Sequence, residues 1–229
     1  MTSSTISETR HESARHESAR HESGRHESGR HESKTRILQA ALQVIRSKGY
    51  SATRVDDICA AAGVTKGSFF HHFDSKEELA IEAAAYWDEL TSGLFQSADY
   101  HARPTARERL LAYIDLRRAL LQGELPEFTC LVGTMVQELY QTEPAIRDAC
   151  ARSINGHAQT LEADIAEAMR DCNPHVEWTA PSLALHTQAV IQGAFILAKA
   201  KGQVKYAAES IDHLRRYVEL LFPMSAKEA

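Results

Sequence analysis

Apolar residues along most of the chain recur at helical spacing, and no stretch alternates with period two between hairpin turns. Ile37, Leu38, Ala41, Leu42 and Ile45 form one stripe, which predicts a first helix over 34–48 that stops at Gly49. Val55, Ile58, Cys59 and Ala62 form a second, closed by Gly63, whose missing Cβ permits the positive φ that ends a helix sharply. Thr65 is a suitable N-cap for a short third helix. On it Phe69 and Phe73, four apart, share one face and leave Lys66, Ser68 and His71 for the other. Ser75 and Glu78 fit a capping box that opens a longer helix to about Ser92, followed by a connector from Gly93 to Pro104. Further helices are expected over 105–122, 129–140, 144–171, 181–201 and 205–222, with breaks at Gly123 to Pro126, Thr142 to Pro144, Asn173-Pro174 and Gly202. The pattern predicts an all-α protein of about nine helices.

A short helix that packs on one side, carries donors on the other and follows another helix through a tight turn has the form that enters a DNA major groove. Charge supports that reading. Residues 34–76 carry seven Lys or Arg against three acids, whereas the whole chain is at -5. A polyanion is therefore drawn to this end.

Residues 10–33 repeat the pentad RHES(A/G) and contain no aliphatic side chain larger than alanine, so they cannot build a core. Residues 1–33 are expected to be a disordered tail, whose five histidines could capture a divalent metal or whose arginines could touch phosphate. The rest divides into a DNA-binding head over 34–80 and a helical body over 81–229.

With 43% hydrophobic and 25% charged residues, the composition is that of an ordinary globular protein. The longest apolar run, Ala194 to Ala198, is too short to span a bilayer, and the N-terminus lacks a signal-peptide core. A cytoplasmic location without a membrane partner is the expectation. Cys59, Cys130, Cys150 and Cys172 are dispersed and form no CxxC pair, which argues for buried thiols. No HExxH, glycine-rich phosphate loop or acid–base constellation is present, so neither enzymatic activity, a metal site nor a cofactor is expected.

Ile37 to Ala41, Gly49-Tyr50, Thr53, the run from Val55 to Phe73, and Ser75 to Leu79 together resemble the head of TetR-family transcriptional regulators. The resemblance implies a homodimer that reads a palindromic operator in double-stranded DNA, most simply as a repressor, and that is released by a small-molecule effector. By the same resemblance Arg54, Thr65, Lys66, Gly67, Ser68, Phe70, His71, His72 and Lys76 are the DNA-facing set. In it Gly67 permits close approach, and His72 and Lys76 grip phosphate. Phe70 stands where the family usually has tyrosine, so apolar contact with sugar or a thymine methyl replaces a hydroxyl–phosphate contact. Arg54 stands where a Ser or Thr cap is usual, and Thr53 is expected to take over as cap.

The resemblance also implies that the body binds the effector and dimerises through its last two helices. The stripe Ile211, Leu214, Val218 and Leu221, with Ala189, Gly193 and Ala194, suits helix pairing or an intramolecular core. Trp87, Phe95, Tyr113, Phe128, Met135 and Trp178 offer apolar wall, and His157, Gln188 and Gln192 lie as polar groups within apolar patterns. From these, Trp87, Tyr113, Phe128, Met135, His157, Gln188 and Gln192 are assigned to the ligand site. The plainer reading of His157 is a satisfied core histidine, with ligand contact as the lesser one. A metal- or redox-responsive regulator, using the His-rich tail or Cys130 or Cys150, is the alternative, weakened because no Lys, Arg or His adjoins either thiol in sequence.

Overall fold

The computed structural model describes residues 30–172 and 176–223. These form eleven α-helices and one 3-10 turn, and no strand. Helix α1 covers 30–48, so residues 30–33 belong to it rather than to the tail, and the remaining repeats lie outside the described residues. Its predicted stripe is buried. Helices α2 (Val55–Ala62) and α3 (Lys66–His72) follow, joined at Gly63, whose φ of 64° is the left-handed turn its sequence predicts. Thr65 caps α3 by accepting the Ser68 N–H at 3.1 Å. Thr53 does not cap α2. Its hydroxyl donates to the Gly49 carbonyl at 2.6 Å, Arg54 takes the cap position, and the Asp57 carboxylate accepts the Arg54 N–H at 2.9 Å.

Helix α4 (Lys76–Gln96) is longer than predicted, passing through Gly93, where no side chain interferes. The capping box at its start is displaced by one residue. Ser75 Oγ accepts the Glu78 N–H, while the Glu78 carboxylate accepts from Asp74 rather than from Ser75. The predicted connector contains the 3-10 turn Asp99–Ala102. Helix α5 (Ala106–Ala119) then starts at a Thr105–Glu108 capping box.

Two departures raise the helix number above nine. Leu125–Phe128 forms the short helix α6, because Pro126 falls in the first turn, where its missing N–H is not needed. After α7 (Leu131–Leu139), the expected helix over 144–171 is two helices, α8 (Pro144–Gln159) and α9 (Glu162–Cys172). The break forms because Thr160 bonds the His157 carbonyl through both its amide and its hydroxyl, and Leu161 N–H bonds Ala158.

Helices α10 (Ala180–Lys201) and α11 (Lys205–Leu221) pack on each other, with α5 and α9 against them and α8 between α4, α7 and α10. This arrangement reassigns the α11 stripe. Ile211, Leu214 and Val218 are buried within the protomer, so they form its own core. Large apolar side chains left exposed on the same two helices are Leu185, Ile196, Leu197, Tyr217 and Leu220.

Head and body are joined by side chains that bond backbone. Arg46 of α1 donates to the Glu127 and Thr129 carbonyls at 3.0 and 3.4 Å, and its guanidinium lies 5.1 Å from the Trp87 ring centroid. Glu138 of α7 accepts the Tyr50 and Ser51 N–H groups at 3.1 and 2.8 Å. Replacing Glu138 by alanine leaves the Ser51 amide to water and the amide of buried Tyr50 without its partner, and should lower stability by about 1–2 kcal/mol. Thermal melting should show the loss, and hydrogen exchange should locate it as faster exchange at Tyr50 and Ser51.

Candidate nucleic-acid interface and internal cavity

The outward face of the head is built on α3. Phe69 and Phe73 fix it from below: both are fully buried, with their rings 5.6 Å apart. Lys66, Gly67, Phe70 and His71 are exposed, Ser68 is half-buried, and Arg54 is exposed at the start of α2. Phe70 is 50% exposed, an aromatic held out to solvent on a helix whose other aromatics are core. Lys66 pairs with Asp56 of α2 at 2.8 Å, and this hydrogen-bonded partner raises the lysine's pKa, keeping its charge firmly in place.

Two residues of the predicted set face inward. His72 Nε2 lies 2.6 Å from Ser33 Oγ, and burial followed by the nearby His71 charge lowers its pKa, so this imidazole pins α3 to the start of α1. Lys76 donates to the Tyr50 and Thr53 carbonyls at 3.1 and 3.0 Å and lies 4.1 Å from the Tyr50 ring centroid. Its ammonium holds the turn between α1 and α2, and one N–H remains for any other partner. These partners are distant in sequence and add an intramolecular role to two residues that the sequence reading assigned to phosphate.

The body encloses a cavity of about 160 Å³. Of the predicted ligand residues, Trp87, Phe128, His157, Gln188 and Gln192 line it, as does Phe95. Tyr113 stands one layer behind, Met135 is fully buried without lining it, and Trp178 packs on Phe222 instead. Gln192 reaches the wall beside Gly133, where a Cβ would lie 2.1 Å from the amide oxygen, so the glycine makes room for it.

A polar relay crosses the apolar wall. Gln188 Nε2 donates to the Tyr113 hydroxyl at 3.3 Å, and that hydroxyl is 2.9 Å from His157 Nε2. The buried phenol has no other acceptor for its proton, so it donates to the imidazole and leaves the His157 proton on Nδ1. Burial, followed by the Arg117 charge, pushes the His157 pKa down to about 3. The histidine is thus a satisfied, neutral group that also borders the cavity.

Residues that sequence reasoning missed include Arg117, Glu127 and Cys130, all in the wall. Cys130 is the N-cap of α7, its Sγ accepting the Gly133 N–H at 3.3 Å, and Arg46 and Lys199 lie within electrostatic range of it. Neither cation adjoins it in sequence. Cys150, by contrast, is pushed up to about 12 by burial. Among the described residues no cluster of His, Cys, Asp or Glu could hold a metal, and no helix is long and apolar enough to cross a membrane. The tail histidines of the repeats before residue 30 lie outside that set.

Because His157 binds a proton at about pH 6.5 when unfolded and only near pH 3 when folded, the unfolded state takes up more protons between those values. Its contribution to stability therefore falls as pH is lowered through that window, by at most about 1.4 kcal/mol per pH unit. Urea unfolding at pH 7 and pH 5 should show a smaller loss for His157→Gln, which keeps an acceptor for Tyr113, than for the wild type. Equal losses would assign the slope to other groups.

Comparison with known proteins agrees with both halves of this description. Residues 37–83 match the model of bacterial regulatory proteins of the tetR family, and residues 106–214 match the tetracyclin repressor-like C-terminal domain. The transcriptional regulator AcuR of Cereibacter sphaeroides is 30% identical over 59% of this chain, which spans 60% of AcuR. The repressor DhaR of a Mycobacterium species is 27% identical over 72% of this chain and 82% of its own length. A TetR transcriptional regulator from Chloroflexus aurantiacus superposes with a TM-score of 0.71 at 25% identity, covering 83% of this chain and 96% of that one. With a tetR-type head and a tetracyclin repressor-like body in one chain, the protein belongs to the TetR family of DNA-binding transcriptional regulators.

Proposed function

We propose that the chain is a cytoplasmic homodimeric repressor that reads a palindromic operator with α3 and is released when a small molecule occupies the cavity in its body. The observation that carries the reading is the double use of α6. Glu127 and Phe128 wall the cavity, while the Glu127 and Thr129 carbonyls anchor Arg46 of the head. A ligand that shifts α6 therefore changes the seating of α1, and it needs only a preference of about 1.4 kcal/mol for the displaced state to weaken DNA affinity tenfold. DhaR, named a repressor, supports the sign of the regulation.

A single seven-residue recognition helix contacts too few base pairs for useful selectivity, which favours a two-fold dimer. The exposed apolar residues of α10 and α11 supply a face for it, beside Gly193, where no atom lies within contact of a Cβ. Light scattering should give a dimer, and selection from random duplexes should return an inverted repeat. A monomer, or no preference over bulk DNA, would refute the proposal. Lys66→Ala should weaken binding to all sequences and reduce its salt slope by about one. Phe70→Ala and His71→Ala should instead change the selected sequence, at about 1–3 kcal/mol per lost base contact.

A second reading, redox-responsive regulation, is favoured by one observation, the placement of Cys130 at the start of α7 within range of Arg46 and Lys199. Hydrogen peroxide should then oxidise Cys130 before Cys150 by peptide mass spectrometry, and Cys130→Ser should make operator release insensitive to peroxide. Unchanged release by peroxide in that variant would discard this reading.

A further inference from the structure

Helix α5 carries four arginines, and among the described residues three of them have oxygen partners. Arg107 donates to the Phe222 carbonyl at 2.6 Å, Arg109 bridges Asp164 and Glu167 at 2.8 and 2.7 Å, and Arg118 pairs with Asp212 at 3.3 Å. Arg117 has none. It lines the cavity, half-buried, with its guanidinium 5.2 Å from the Phe95 ring centroid and no hydrogen bond or ion pair to a described residue.

A guanidinium carries five N–H donors in a planar fork that matches a carboxylate, and here none of them meets an oxygen of a described residue. The other charged group in that wall is otherwise engaged. Glu127 Oε2 accepts the Glu124 N–H at 2.5 Å, and the Glu127 charge acts on Arg46. His157 is neutral, so Arg117 is the cation left facing the space without a counter-charge. Around it stand Trp87, Leu121, Phe128 and Phe195, with the Gln192 amide as a further polar group. The volume of about 160 Å³ is close to that of a cavity that holds benzene.

We propose that this cavity takes a small organic carboxylate, an aromatic or short-chain apolar acid of about six to ten carbons, whose carboxylate pairs with Arg117. The inference rests on the effector reading given above and deepens it with a ligand class. Tyr113, Gln188 and His157 hold one another, so the relay keeps the wall beside Arg117 rigid and uncharged and leaves the guanidinium to select the anion.

The test titrates the full chain by calorimetry with benzoate and with benzamide, a neutral molecule of nearly the same shape. Benzoate should bind about tenfold or more tightly. Arg117→Gln should erase that preference while retaining benzamide binding, and Arg117→Lys, a point charge without the fork, should retain part of it. Thermal melting verifies that each variant is folded, and the lysine variant carries the test if the glutamine variant is not. Equal affinity of the two probes for the wild type, an undiminished preference in both variants, or no binding of either probe at millimolar concentration would overturn the proposal. Release of the selected duplex separates the two readings. Benzoate that binds but leaves DNA bound would refute the effector reading and keep the carboxylate site, whereas benzamide that binds and releases as well as benzoate would do the reverse.

Discussion

The structure turns on a pair of oppositely charged side chains that cross between head and body and end on backbone. Arg46 reaches from α1 to carbonyls of α6, and Glu138 reaches from α7 to amides of the turn after α1. Each satisfies main-chain groups that a helix end or a tight turn leaves without partners. The head is thereby tied to the body at the two points where its first helix enters the turn, in addition to the apolar core that runs from α1 through α4 into the body. Such a joint is directional, because moving α6 by a fraction of a hydrogen-bond length changes what Arg46 can hold. Trp87 couples the same guanidinium to the cavity wall through its ring face.

Inside the body the electrostatic arrangement is economical. Burial keeps His157 neutral, and the Tyr113 and Gln188 groups satisfy each other and the imidazole, so three polar side chains sit in apolar surroundings without an unpaired charge. Arg117 adds the positive field that reinforces that neutrality. The cavity is thereby walled by aromatic and aliphatic side chains with polar groups set among them, the form in which orientation of a small ligand is set by a handful of contacts.

How much of this was legible in the sequence depended on whether the determining contact is local. The Gly63 turn, the Thr65 cap and the burial of Phe69 and Phe73 follow from neighbours within four residues, and all are found where the pattern put them. The intramolecular contacts of Lys76 and His72 were not legible, because their partners, Tyr50, Thr53 and Ser33, lie 23 to 39 residues away. The α8–α9 break rests on the backbone bonds from Thr160 to His157 and from Leu161 to Ala158, at residues that composition does not mark as helix breakers. Trp87 and Phe128 were found as cavity residues from their aromatic bulk, and His157, Gln188 and Gln192 from their polarity against the helical pattern. Arg117 and Cys130 were not, since an arginine on a helix rich in arginines and a cysteine without adjacent cations look ordinary until distant elements are brought beside them.

The Asp56–Lys66 pair on the outer face bears on how α3 meets a partner. In the proposed DNA-reading role of α3, a duplex meets a charged lysine already paired with a carboxylate and must take it from Asp56. A sequence that engages Phe70 and His71 at the same time can drive the exchange. Because both side chains are exposed, giving up the pair costs little, and its main effect is to hold the long lysine side chain in one direction before contact.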